Sequence, residues 1–419
     1  MPKGNIIVGL DIGSSNVYTI IAQSIPEEET PRIIGVGAAS AIGMRRGSVV
    51  DTEETTKAIN ESIEKAEKMS GASVDRAVVS IGGSETICQN SKGVVAVGKA
   101  DGEVTEDDIN RAVSAAQTIS IPLNREIIHI TPKSFRLDDQ DNIKDPLGMN
   151  GVRLEVDAMI VEGSVPDIKN LTKCIYQSGI EIDDMILKPL AAAKAVLDKK
   201  QKELGVVLIN IGGGTTSFAI FEEGNLAHTA VLPIGAGHIT NDIAIGLRTS
   251  IDVAEKVKLE YGSALPEEVN KKEEVDLSQV DSKEEGVVSR YHVSEIIEAR
   301  LEEIFSLINK ELKAIGKSGL LPAGAILTGG GAKLPHIVDL AKDVLGLPVQ
   351  IGYPVQLGGV LDKVDDPSFA VAVGLILWAD ENNSASKGKV YGAKIIGNIS
   401  RSAGDTVEKV RGWIEKFLP

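Results

Sequence analysis

Two stretches of this chain are built to one plan. Residues 6–21, IIVGLDIGSSNVYTII, and residues 206–221, VVLINIGGGTTSFAIF, each read as an apolar strand, a tight turn of small residues and a second apolar strand. The turns hold Asp11, Ile12, Gly13, Ser14, Ser15 and Asn16 in the first copy, and Asn210, Ile211, Gly212, Gly213, Gly214 and Thr215 in the second. Without a Cβ, glycine lets backbone N–H groups approach phosphate oxygens closely and adopts the positive φ a tight turn can demand. Two such cradles about half a chain apart imply a polyphosphate held in a cleft between two related domains.

The length of 419 residues exceeds one ordinary core, so two large domains are expected. A net charge of −16 leaves no basic face for a phosphate backbone, so nucleic acid is excluded as a partner. Cys88 and Cys174 are the only cysteines, too few for a disulfide framework, and a reducing cytosol fits. No secretory leader is read at the N-terminus, and no run of eighteen apolar residues is present to span a bilayer.

Along the chain, Ala58, Ile59, Ile63, Ala66 and Met69 recur at helical spacing within 51–70, with Asp51 or Thr52 as the cap. Residues 84–163 shift to short strands (93–97, 127–130, 155–161) and a helix over 105–119, read as an inserted subdomain. Residues 236–300 read as a second insertion with helices at 239–247 and 251–261; its charged tract 266–285 is expected to be a solvated loop. A long amphipathic helix over 293–315 leads back to Gly329, Gly330 and Gly331, a third glycine turn.

Asp11, just before the first glycine turn, is placed to hold Mg²⁺ against the phosphates of a bound nucleotide, directly or through water. Ser14, Ser15 and Asn16 supply donors on one side of the cleft, and Thr215 and Thr216 on the other. Gly329, Gly330 and Gly331 suit a flat ring or ribose lying against backbone. Glu255 and Lys258, at i and i+3 of one helix, are within reach of a ribose or adenine edge. The five histidines show no paired spacing, and no Ser/His/Asp or Cys/His constellation emerges.

The segments VGLDIGSSNVYTII, KPLAAAKAVL, LINIGGGTTSFAIF, AILTGGGAKLP and DDPSFAVAVGLILW resemble the five motifs of the actin, Hsp70 and sugar-kinase superfold, an α/β, ribonuclease H-like duplicated two-domain fold. Within it the chain resembles the FtsA family of bacterial cell division proteins. IIGVGAASAIGMRRGSVVD, GVRLEVDAMIVEG, LPIGAGHITNDIAIGL and AEKVKLEYGSA also match, so the likeness covers nearly the whole chain. It implies an ATP- and Mg²⁺-binding protein that polymerises on the cytoplasmic face of the membrane, in the mid-cell division ring. There it would bind the C-terminal tail of FtsZ, anchor the FtsZ ring and recruit later divisome membrane proteins. The resemblance adds Lys333, after the third glycine turn, to the nucleotide site. It also divides the chain into subdomains at 1–83 with 164–198 (1A), 84–163 (1C), 199–235 with 300–380 (2A) and 236–299 (2B). The last of these is expected to receive the FtsZ tail, near Val293 to Arg300.

Departures bear on the chemistry. Asn210 stands where the superfold's second turn usually starts with Asp, and Ser217 where a carboxylate is often found. Relatives place Glu or Gln at the connecting helix to orient the attacking water, whereas this chain has Lys188-Pro189-Leu190. Nucleotide binding with at most weak ATPase activity is therefore expected.

Residues 381–402 read as a polar linker, and 403–419 as an amphipathic helix. Val407, Val410, Trp413, Ile414, Phe417 and Leu418 form one stripe at i, i+3, i+6, i+7, i+10 and i+11. At about 1.5 Å per residue such a helix is too short to span. It is also too polar, and interfacial aromatics suit a bilayer surface.

Overall fold

The computed structural model describes residues 5–385, apart from 26, 27, 29, 120, 356 and 360–362. The terminal stripe Val407, Val410, Trp413, Ile414, Phe417 and Leu418 lies outside the described residues, as does 386–402 of the expected linker. The last described helix, Ala370–Ala385, continues past the point where that linker was expected to begin.

A six-stranded sheet carries the first lobe in the order Glu181–Leu187, Arg76–Ile81, Asn5–Ile12, Asn16–Ser24, Arg32–Ser40 and Gly358–Gly359. Its first three strands run parallel, and the next two turn back antiparallel. The five-stranded sheet of the second lobe repeats the plan. Val349–Ile351, Ala325–Thr328 and Val206–Ile211 run parallel, then Thr216–Glu222 and Asn225–Leu232 antiparallel. The lobes are thus copies of one topology.

Helices Lys188–Val196 and Ala370–Ala385 fill the space between the two sheets. One apolar cluster joins Ile7 and Ile20 of the first sheet to Leu208 and Ala219 of the second through Ala191, Ala192, Val373 and Ile376. Small residues let the helices cross closely. A Cβ on Gly374 would stand 1.8 Å from the carbonyl oxygen of Ala191.

The outer face of the first sheet is covered by helix Thr52–Ser70. Asp51 is its cap, accepting from the Glu53 and Glu54 N–H groups at 2.9 and 3.1 Å, and Gly71 closes it at φ 69°. Ala58, Ile59, Ile63 and Ala66 are buried as the periodicity requires, while Met69, one turn beyond, is exposed.

Residues 87–164 build a separate four-stranded sheet in the order Ile87–Ala96, Arg153–Ser164, Arg125–Leu137, Gln140–Ile143. These strands outrun the short segments expected from sequence, because their ends carry polar side chains that dilute the apolar signal. Helix Glu106–Ala116 lies so close on the sheet that a Cβ on Gly93 would meet the Ala112 carbonyl at 1.9 Å.

The charged tract 266–285 corrects the expectation of a solvated loop. It folds into strand Glu274–Asp276, paired with Val287–Ser289, and the helical turn Leu277–Val280. Val269, Val275, Leu277 and Val280 are buried, the last three in the core of the second lobe. A few apolar residues facing one way suffice to dock a segment whose average composition is polar.

Candidate functional site

The two glycine turns have the same geometry. The Gly13 N–H donates to the Asn16 carbonyl at 2.9 Å, and the Gly212 N–H to the Thr215 carbonyl at 2.9 Å. Strand register coincides as well: Asp11 faces Tyr18 and Asn210 faces Ser217, each one position before the turn-closing pair. The turns meet tip to tip. A Cβ on Gly213 would lie 1.8 Å from Ser15 Oγ, and one on Gly214 would lie 2.6 Å from Ser14 Oγ. Glycine is required at Gly214 by the approach of the opposite lobe, since Ser14 Cβ would also lie 2.7 Å away, whereas the exposed Ser15 hydroxyl can turn from Gly213.

A third element reaches the same place, which sequence reasoning did not single out. Met44–Arg45 and Ser48–Val49 form a tight hairpin with Arg46 at φ 50° and Gly47 at φ 80° at its tip. Positive φ at both positions is the twist-matched hairpin turn, in which a non-glycine residue such as Arg46 is uncommon. The Gly47 N–H donates to Ser14 Oγ at 2.9 Å, and a Cβ on Gly214 would stand 3.0 Å from the Arg46 nitrogen. Arg46 itself is exposed. Burial lowers the pKa of His238 from its ordinary value, and the positive charges of Arg46 and Arg300 push the same way. His238 Nδ1 accepts from the Gly235 N–H at 3.1 Å.

Asp11 is buried and fully engaged at one oxygen. Its Oδ1 accepts from Ser80 Oγ at 2.6 Å and from Lys188 Nζ at 2.7 Å. Lys188 Nζ also donates to the Ile12 carbonyl at 2.7 Å. The residue that marks the chain's departure from its superfold is thus bound to the candidate metal carboxylate. A cation held directly on that oxygen would have to displace an ammonium, so the arrangement does not fit Mg²⁺ bound inner-sphere at Asp11. Among the described residues no group of three or more His, Cys, Asp or Glu side chains is arranged to hold a metal.

On the second lobe, helix Ala236–Leu247 starts on the glycine turn: the Ala236 and Gly237 N–H groups donate to the Gly212 and Gly213 carbonyls at 2.8 Å each. Gly331 packs against Ile211 and Ala236, and Gly329, at φ 84°, against Asn210. Lys258 lies beside them, but its ammonium is already used. Its Nζ donates to Glu255 Oε2 at 2.6 Å, Thr240 Oγ1 at 2.8 Å and the Ala236 carbonyl at 3.4 Å. Lys258 is buried and fixes Glu255, whose side chain is 44% exposed and the one left to face a ligand. Gly330 is exposed with nothing near it. Lys333 pairs with Asp366 at 2.6 Å, which ties the third glycine turn to the start of the helix between the lobes.

Two expected donors behave differently. Thr215 is half-buried in its turn, while Thr216, one residue on, is fully buried and its hydroxyl has no partner among the described residues. Ser14 is engaged by the hairpin tip, Ser15 is exposed, and Asn16 closes its turn. Cys88 is inert, burial pushing its thiol up to about 12.

Comparison with known proteins decides the family. The chain is 36% identical over 414 residues to a cell division protein FtsA of Pseudomonas aeruginosa, covering 99% of this chain and 98% of that one. This chain belongs to the FtsA family. It is 39% identical over 395 residues to the FtsA of Bacillus subtilis, covering 94% of this chain and 87% of the other. Family models for cell division protein FtsA and for the SHS2 domain inserted in FtsA match residues 207–374 and 83–162.

The fold is actin-like. A PilM-PilN type IV pilus biogenesis complex superposes with a TM-score of 0.64 at 17% identity, covering 88% of this chain and 97% of that one. MreB5 of Spiroplasma citri bound to ADP superposes with 0.53 at 14% identity, covering 92% and 100%. As an FtsA-family member the chain is a cell division protein, and among its described residues no helix is long and apolar enough to cross a membrane.

Proposed function

We propose that this chain is an ATP-binding, filament-forming protein that anchors the FtsZ ring to the cytoplasmic face of the membrane at the division site and serves there as a platform for later divisome membrane proteins. The observation that carries the nucleotide reading is the pair of glycine turns with the same closing hydrogen bond and register, one on each lobe, pressed tip to tip. A nucleotide's phosphates would take the backbone N–H groups of Ser14 to Asn16 and Gly213 to Thr215, the Gly13 and Gly212 N–H groups being used to close the turns, with the Arg46 hairpin over them. The adenosine would lie against Gly329 to Gly331, with Glu255 facing it. The adenine nucleotide bound to the MreB5 neighbour is in keeping with this.

Turnover is slow in this account. Hydrolysis needs a group to orient water, and an ammonium bound to Asp11 and a carbonyl has no lone pair to accept a proton. ATP acts as a ligand that closes the cleft, and it favours the filament by as much as it binds the closed state better.

The subdomain division at 84–163 and 236–299 is retained, with the FtsZ tail docking on the latter. Ile245, Ile251 and Leu259 are exposed there and offer apolar contacts to a peptide. Arg300, in the segment first bracketed for that contact, is held by Asp242 and Glu303, so it steadies the surface.

The terminal helix lies in the membrane interface. Asp405, Glu408 and Glu415 balance Lys409, Arg411 and Lys416, so apolar insertion supplies most of the affinity. One tail holds weakly, and a filament presenting many binds by avidity. Electron microscopy on a lipid monolayer with ATP, with and without an FtsZ tail peptide, tests the whole reading: ordered filaments that recruit the peptide are expected, and bare lipid contradicts it. Trp413→Glu should release the protein from liposomes; unchanged co-sedimentation would remove the membrane role from this stripe.

A further inference from the structure

Lys188 occupies an improbable place for a lysine. It is the first residue of helix Lys188–Val196, where the helix dipole disfavours a cation, and its side chain is only 12% exposed. Its stem runs beside Gly82, where a Cβ would come within 3.4 Å of Lys188 Cγ. The residue before it, Leu187, is pinned by its N–H donating to His129 Nε2 at 2.9 Å. The ammonium therefore arrives in a fixed position, with oxygens of Asp11 and Ile12 each at 2.7 Å.

An ammonium carries three N–H donors. Two are used here, both on residues of the first turn, which leaves one. Asp11 is the only carboxylate in either turn, since the matching position of the second is Asn210. Removing the ammonium would leave a buried carboxylate uncompensated, and placing a hydrated divalent cation there would leave a buried ammonium short of its acceptor. Both are costly.

Resting on the nucleotide reading above, we infer that Lys188 is a built-in cation of the phosphate cleft. It holds the place beside Asp11 that a divalent metal would take, so that nucleotide uptake depends only weakly on Mg²⁺. The nucleotide's negative charge meets Lys188 and the turn N–H groups, and Asp11 serves to fix the lysine.

The test is titration of the full chain with ATP, in EDTA and in Mg²⁺, by calorimetry. The wild type is expected to change affinity by no more than about threefold between the two conditions. Lys188→Gln, which keeps a hydrogen-bonding side chain without charge, should lose about tenfold in EDTA and recover most of it in Mg²⁺. Lys188→Arg should behave as wild type, which separates charge from packing. Asp11→Asn should hold or improve affinity in EDTA, because it frees the ammonium.

A wild type that loses about tenfold or more in EDTA overturns the inference while leaving nucleotide binding intact. A Mg²⁺ dependence in Lys188→Gln identical to wild type overturns it too. No ATP uptake by the wild type in either condition removes the nucleotide reading itself, and this inference with it.

Discussion

The two lobes share strand order, turn hydrogen bonds and register, yet they differ in charge. At the end of the first, Asp11, Ser80 and Lys188 form a buried ionic cluster. At the same place in the second, Asn210 packs against Gly329, and the single Thr328 O–H is shared between the Gly352 and Pro367 carbonyls at 3.0 and 3.2 Å. A duplicated scaffold has thus kept its backbone and divided its chemistry. In the proposed site the first lobe would supply the cation beside the phosphates, and the second the backbone and the Glu255–Lys258 pair against which an adenosine would rest.

Substitutions that equalise the lobes probe that division. The largest effect should come from Gly214→Ala, because the added methyl falls on Ser14 Cβ and the Arg46 backbone nitrogen and forces apart turns that must close together. ATP affinity should drop about 100-fold, read by calorimetry, with the melting transition little changed. Gly358→Ala, on the edge strand where the added methyl meets only Arg32 at 3.7 Å, should leave affinity near wild type; equal losses in both would mean that turn-to-turn contact is irrelevant.

Asn210→Asp would give the second lobe a carboxylate with no lysine beside it. Its affinity for ATP in EDTA should fall about tenfold and be restored by Mg²⁺, so that the variant acquires the metal dependence the wild type lacks. A variant indifferent to Mg²⁺ would show that charge at this end of the strand does not reach the phosphates.

The smallest effect concerns His129, which the inserted subdomain places beneath Leu187 of the first lobe alone. Burial drives this imidazole from its ordinary 6.5 down to about 4. The folded chain therefore binds fewer protons than the unfolded one between those values. Its contribution to stability is intact above the unfolded pKa and is lost as pH falls toward the folded one. Between about pH 6 and about pH 5 the loss should be about 1 kcal/mol in denaturant titrations. His129→Gln, which retains an acceptor for the Leu187 N–H, should flatten that slope.

How much of this could be read from sequence depended on how local the cause was. The glycine turns were legible because tight turns and close backbone approach admit few residue types, and both copies carry them. Helix 52–70 was legible for its stripe and for a cap at Asp51 or Thr52, of which the structure uses Asp51. The partner of Lys188 was not, since Asp11 lies 177 positions away and nothing in the order of residues joins them. Thr215 and Thr216 were both expected as donors, and the burial of Thr216 could not be read from alternation because both faces of its strand are covered. The Arg46 hairpin hid in a segment whose strands are two residues each, below the length at which periodicity speaks.

The central claim is that two copies of one turn close on a single adenine nucleotide. Calorimetric titration of the full chain with ATP tests it most directly. The account predicts saturable uptake of one ATP per chain, abolished or greatly weakened by Gly214→Ala. Absence of any heat of binding at millimolar ATP would contradict it.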